Sequence, residues 1–126
     1  MSLLKYYNKE ILTLTLPPDF NEEFIDIPSN TQKIIFEEDI NNNIFSQFNK
    51  SIDNLPNSIK KITIDRDCQF NRELNCLPNF VEQIELPYAY AKQIKKFPTQ
   101  LKKIICCQDY KYIEDFKNFL IETYCY

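Results

Sequence analysis

A pattern that recurs along a chain restricts the fold more than any local propensity, because each copy must bury its apolar face against the next. Residues 20–28, 48–56 and 70–78 all read Phe-Asn-x-x-h-x-x-h-Pro, where h is apolar. A fourth copy, 90–98, keeps the apolar places and the Pro, with Tyr90 for Phe and Ala91 for Asn. Behind each Pro come two mostly polar residues and then h-x-x-h-x-h, at 31–36, 59–64, 81–86 and 101–106, with Thr31 at the first apolar place of its copy. A partial N-terminal unit, 4–16, fits with Leu4, Tyr7, Ile11, Leu14 and Leu16 at the apolar places and Asn8 in place of Pro. The final apolar positions, 16, 36, 64, 86 and 106, stand 20, 28, 22 and 20 residues apart.

This spacing predicts one coil of a solenoid. Apolar residues at the first, fifth and eighth places share one face of a helical turn or two. Pro at the ninth drives its predecessor out of the α region and ends that turn. Pro then suits the second position of a type I turn that redirects the chain. The h-x-h ending alternates, so each coil adds a short strand to one parallel sheet. The expected class is an α/β repeat, a short leucine-rich-repeat-like solenoid in one domain, 1–126. Its parallel sheet forms the concave face, with helical turns or loops on the convex face. After the last strand, Tyr112, Ile113, Phe116, Phe119, Leu120 and Tyr124 fall at helical spacing, with Asp109 placed to cap them. They predict a capping helix over about 109–123.

These residues resemble the FNIP repeat, named for Phe-Asn-Ile-Pro, a leucine-rich-repeat relative abundant in amoebae and in the giant viruses that infect them. The resemblance covers about residues 4–106. It implies a protein-interaction role, and family members often bear an F-box that links them to ubiquitin ligases. Fewer than 20 residues precede the first full unit here, too few for an F-box, so that adaptor role is not expected. Family repeats often place Gly or Pro just before the Leu-Pro step. This chain offers Asp53, Asn54 and Asn75, which tolerate left-handed backbone, and Lys95 and Lys96, which tolerate it less.

Composition narrows function by what it omits. There is no Gly and no His. Phosphate-cradling loops and serine elbows need the first, and most general bases near pH 7 are the second. No catalytic residue, cofactor or metal site is therefore expected, and the protein reads as a non-enzyme. Five cysteines, Cys68, Cys76, Cys106, Cys107 and Cys125, form no Cys-x-x-Cys pair and read as packing thiols in a reducing compartment. The apolar runs are too short to span a bilayer, which suggests a cytoplasmic protein, or a virion component if the source is viral. Abundant Asn, Ile and Lys beside scarce Ala and Val fit translation of an AT-rich genome.

Phe20, Phe48, Phe70 and Tyr90 should stack inside the solenoid, while Asn21, Asn49 and Asn71 satisfy backbone groups at successive bends. The insertion 37–47 produces the spacing of 28 and is a candidate binding loop. Outward residues of the strands line the concave face. Lys33, Lys61, Gln83 and Lys103 form one column, and Ile35, Thr63, Glu85 and Ile105 a second. Outward Ile35 and Ile105, rimmed by charge, make this the candidate site for a protein partner. Residues 92–103 hold five lysines and no acid, but a net charge of -3 and the absence of Arg from that cluster disfavour nucleic acid. The alternative is a structural or self-assembling component that uses the aromatic C-terminal helix, and the protein is expected to be a monomer or a homodimer through that helix.

Overall fold

A computed structural model of the chain describes residues 3–125. Seven strands form one sheet, β1 (Tyr7–Asn8), β2 (Thr13–Leu16), β3 (Lys33–Phe36), β4 (Lys61–Ile64), β5 (Gln83–Glu85), β6 (Lys103–Cys107) and β7 (Leu120–Tyr124). Their spatial order is their sequence order, and every pairing from β2 to β7 is parallel. Each connection therefore advances by one strand, which is a β-solenoid of about six turns. Register stacks like on like, with Ile34, Ile62, Ile84 and Ile104 as successive partners, none more than 1% exposed.

The convex side is made of turns. Among the described residues there is no α-helix, only 3-10 turns at Leu4–Tyr6 and Ile113–Phe116, which corrects the expectation of helical convex turns. Besides its local turns, the backbone there bonds to the neighbouring coil. The N–H groups of Asn49, Asn71 and Ala91 donate to the Oδ1 atoms of Asn21, Asn49 and Asn71, at 2.9, 3.0 and 2.9 Å. Asn75 serves Lys95 N–H at 2.7 Å, and Asn79 serves Thr99 N–H at 3.3 Å. Amide side chains thus supply the acceptors that a helix would find four residues back.

Two local expectations change. Pro28, Pro56, Pro78 and Pro98 stand first in their turns, not second, since each carbonyl accepts the N–H of the third residue on, at Thr31, Ile59, Val81 and Leu101. Left-handed backbone before the Pro step is needed only at Asp26 (φ 59), and not at Asp53, Asn54, Asn75, Lys95 or Lys96. Leu12 and Asn43 are the other described non-glycine residues with positive φ.

Both ends depart from the expected pattern. The capping helix over 109–123 is absent: a 3-10 turn leads into β7, which pairs with β6 over five residues. Helical spacing and strand alternation compete in this segment, and the open edge of β6 decides, because five ladder positions outweigh an isolated amphipathic turn. Ile121 turns to the core and Phe119 packs against it, whereas Leu120 is 67% exposed. At the other end β1 folds back antiparallel on β2, which leaves Leu4 and Ile11 exposed and brings Leu3 into the core instead.

The core is organised by a column of rings. Phe20, Phe48, Phe70 and Tyr90 stack at centroid spacings of 5.9, 5.8 and 6.0 Å with nearly parallel planes. Tyr110 extends the column at 6.1 Å from Tyr90. The Tyr110 hydroxyl donates to the Lys92 carbonyl. The Tyr90 hydroxyl is buried with no hydrogen-bond partner among the described residues, in a place that the three preceding coils fill with Phe. Tyr90→Phe should therefore raise stability by about 1 kcal/mol. Phe70→Ala, which opens the middle of the column, should lower it by about 3–5 kcal/mol. Urea unfolding followed by circular dichroism checks both, and a destabilising Tyr90→Phe would show that the hydroxyl has a partner after all.

Candidate binding face

The outward face of the sheet is built by the strand register. The first outward column carries Lys33, Lys61, Gln83 and Lys103 in direct lateral register, all half-buried. The second carries Ile35, Thr63 and Glu85, half-buried, and Ile105, which is only 9% exposed. The register so brings all eight residues of the two columns together. It does not leave Ile105 as an open apolar spot.

Ile105 is covered because β7, in place of the expected helix over about 109–123, brings the ring of Tyr124 onto this face. Tyr124 clusters with Ile105 and Cys107, and its hydroxyl donates to the Leu86 carbonyl at 2.5 Å. The guanidinium of Arg66, in the loop after β4, lies 4.2 Å from the centroid of the same ring. This cation–π contact closes the C-terminal part of the face. Ile35 is then the apolar residue of the two that the face still offers. Burial raises the Glu85 carboxyl above its ordinary range, with Arg66 opposing.

At the other end of the strands lies a groove of about 440 Å³. Its walls are the first outward column and the row one residue earlier, Gln32, Lys60, Glu82 and Lys102, with Ile11 at one end. Backbone bonding continues into that row: the carbonyls of Gln32, Lys60 and Glu82 each accept two N–H groups from the following coil. The rim is thus held as firmly as the sheet. Lys102 lies 3.8 Å from Glu82, and Lys103 2.7 Å from Glu122 of β7, which holds the Glu122 carboxyl below its ordinary value.

The insertion 37–47 forms a small antiparallel turn. Asp39 and Ile44 exchange backbone hydrogen bonds, and the Asp39 carboxylate accepts from the N–H and side-chain amide of Asn42. This fixed tip displays Ile40 at 75% exposure, with Ile44 and Phe45 beside it at 43% and 39%. Its base is tied to the next coil, where Asp65 accepts the Ser46 N–H at 3.3 Å and the Cys68 thiol donates to Ser46 Oγ.

One group of carboxylates among the described residues has metal-like spacing. Oxygens of Glu38, Asp65 and Asp67 lie within 4.8 Å of one another. Asp65 is 7% exposed and already accepts the N–H groups of Ser46 and Asp67. Glu38 is pushed up to about 7, first by burial and then by the charge and hydrogen bond of Asp65, with Asp67 adding to this and Arg66 opposing. A proton on Glu38, hydrogen-bonded to Asp65, relieves the repulsion among these carboxylates and helps anchor the insertion. Between the ordinary value of 4.5 and about 7, the folded chain keeps this proton and the unfolded chain releases it. Stability from this group is fully present below about 4.5 and is lost as pH rises through about 7. The urea midpoint should therefore fall from pH 5 to pH 8, and Glu38→Gln should flatten that fall; an unchanged slope in the variant would exclude Glu38 as its source.

No helix among the described residues is long and apolar enough to cross a membrane. No curated protein and no solved structure matches the chain. The family model for the FNIP Repeat does match, over residues 48–89. That stretch starts at Phe48, includes β4 and β5, and holds the Phe-Asn units at 48–56 and 70–78, whose Phe rings stack and where the Asn71 N–H donates to Asn49 Oδ1. Over residues 48–89, then, this solenoid is similar to the FNIP repeat.

Proposed function

We propose that this protein is a non-enzymatic protein–protein interaction module of the leucine-rich-repeat type, which holds a partner against its outward sheet face or its 37–47 loop. The observation that carries this reading is the register. Lys33, Ile35, Lys61, Thr63, Gln83 and Glu85 stand side by side on neighbouring paired strands, all half-buried. Binding surfaces gain from such preorganisation, because little side-chain and backbone freedom is left to lose. The fixed tip of the loop, with Ile40, adds an apolar anchor of the kind that fills a partner's pocket.

Two of the five thiols, Cys68 and Cys106, support the non-enzymatic reading. Burial raises the Cys68 thiol, and it pushes Cys106 up to about 11, away from the reactive thiolate. With no His in the chain, neither has an imidazole to activate it.

A specific feature favours self-association as the second reading. β7 is the terminal strand of the sheet, five residues long, and it carries exposed Leu120. Such an edge can template pairing with a second copy.

Affinity capture from source cells, read by mass spectrometry, tests the leading reading. Ile35→Asp should weaken capture of the bound partner by about tenfold if the sheet face holds it, and Ile40→Asp should do so if the loop does. Undiminished capture by both variants, each folded by circular dichroism, would overturn the reading. Light scattering that shows a dimer broken by Leu120→Lys would replace it with self-association.

A further inference from the structure

The rim groove has a charge that the rest of the molecule lacks. Five lysines and one glutamate line it, in a chain whose net charge is -3. Two of the lysines are engaged, Lys102 by Glu82 and Lys103 by Glu122. Lys33, Lys60 and Lys61 have no carboxylate within ion-pair distance among the described residues. They sit on adjacent strands, with Lys33 and Lys61 direct partners and Lys60 next to Lys61 at the rim. Neighbouring strands are about 4.8 Å apart, so Lys33 to Lys103, three strand steps, is roughly 14 Å. An extended peptide covers that distance in four or five residues, with side chains of one face about 6.7 Å apart.

We infer that this groove binds an extended acidic segment of a protein partner, laid across the strands along the rim, with carboxylates on the Lys33, Lys60 and Lys61 ammonium groups. The inference rests on the reading of the outward face as a protein-binding surface and gives that surface its ligand chemistry. Gln32 and Gln83 stand among the lysines with amides that can both donate to and accept from a peptide backbone. Ile11, 64% exposed, closes one end of the groove with an apolar side chain. Those features fit a polypeptide better than a nucleic acid. The lining holds no aromatic ring on which a base could stack and no Arg to fork onto a phosphate, and Glu82 sits in the path of a phosphate backbone.

Fluorescence anisotropy with three labelled probes tests this. They are a nine-residue peptide alternating Glu with Thr, its Lys counterpart, and an oligouridylate of matched charge. The acidic peptide alone should bind, less tightly as salt rises. Lys60→Glu combined with Lys61→Glu should weaken it by about tenfold or more. Glu82→Gln should tighten it, a gain that general damage to the fold could not produce. Failure of the acidic peptide to bind, or binding unmoved by the double lysine change in folded protein, overturns the inference. Tighter binding of the oligouridylate through the same lysines overturns it in favour of nucleic acid. Should the acidic peptide fail while partner capture still depends on Ile35, the outward face stands as the interaction surface and only its assigned chemistry falls.

Discussion

Everything in this molecule depends on the stacking of each coil on the next in exact parallel register. A single coil of about 20 residues has one short strand, one ring and one Asn, and no partner of its own for any of them. Stacked, the strand gains its ladder, the ring lies about 6 Å from the equivalent ring, and the Asn oxygen finds a backbone N–H in the following coil. All three contacts recur at the same step, so any coil that fits one fits the others. The core is a set of columns, and a defect in one coil falls on its two neighbours alone.

The same geometry builds the surface. Parallel register places like beside like whether or not the pairing is favourable, so it stacks Lys33 on Lys61 as surely as Ile34 on Ile62. For the isoleucines this excludes water. For the lysines, two like charges about 5 Å apart in water repel by roughly 1 kcal/mol, which a well-packed sheet tolerates. That repulsion is a concentrated positive field ready for an anion. The 37–47 insertion breaks the period between β3 and β4, and it is secured by polar contacts instead of stacking. Ser46, Asp65, Glu38 and Cys68 tie its base to the neighbouring coil, and Asn43 takes the positive φ that its tight tip requires.

How much of this is legible in the sequence follows from which contacts repeat. The aromatic, Asn and strand positions recur, so the residues of the ring column and of the outward face can be read by aligning the copies. Contacts made once leave no such trace. Tyr124 covers Ile105 because β7 pairs with β6, yet β7 lacks the Pro that marks the other coils and carries apolar residues at a spacing that also suits a helix. Only the edge of β6, far from any local rule, decides between the two. Leu4 and Ile11 match the apolar pattern and are exposed, because β1 reverses direction where the other coils continue forward. The carboxylate cluster joins an insertion to the loop of a different coil, and no spacing along the chain announces it.

Charge on the outward face changes sign along the strands as well as between them. At the strand starts the columns are lysine-rich, at Lys33, Lys61 and Lys103, while just past the ends of β3 and β4 stand Glu37 and Asp65. Arg66 and Tyr124 then cover part of that acidic side. A ligand lying parallel to the strands must pass from one sign to the other within four residues. A ligand lying across them at the rim meets five lysines and one glutamate, Glu82. The face therefore selects orientation before it selects sequence, and an anionic chain gains most by crossing every coil at the rim. That direction is also the solenoid axis, so each further coil with a lysine at the same place would lengthen the site by one strand step.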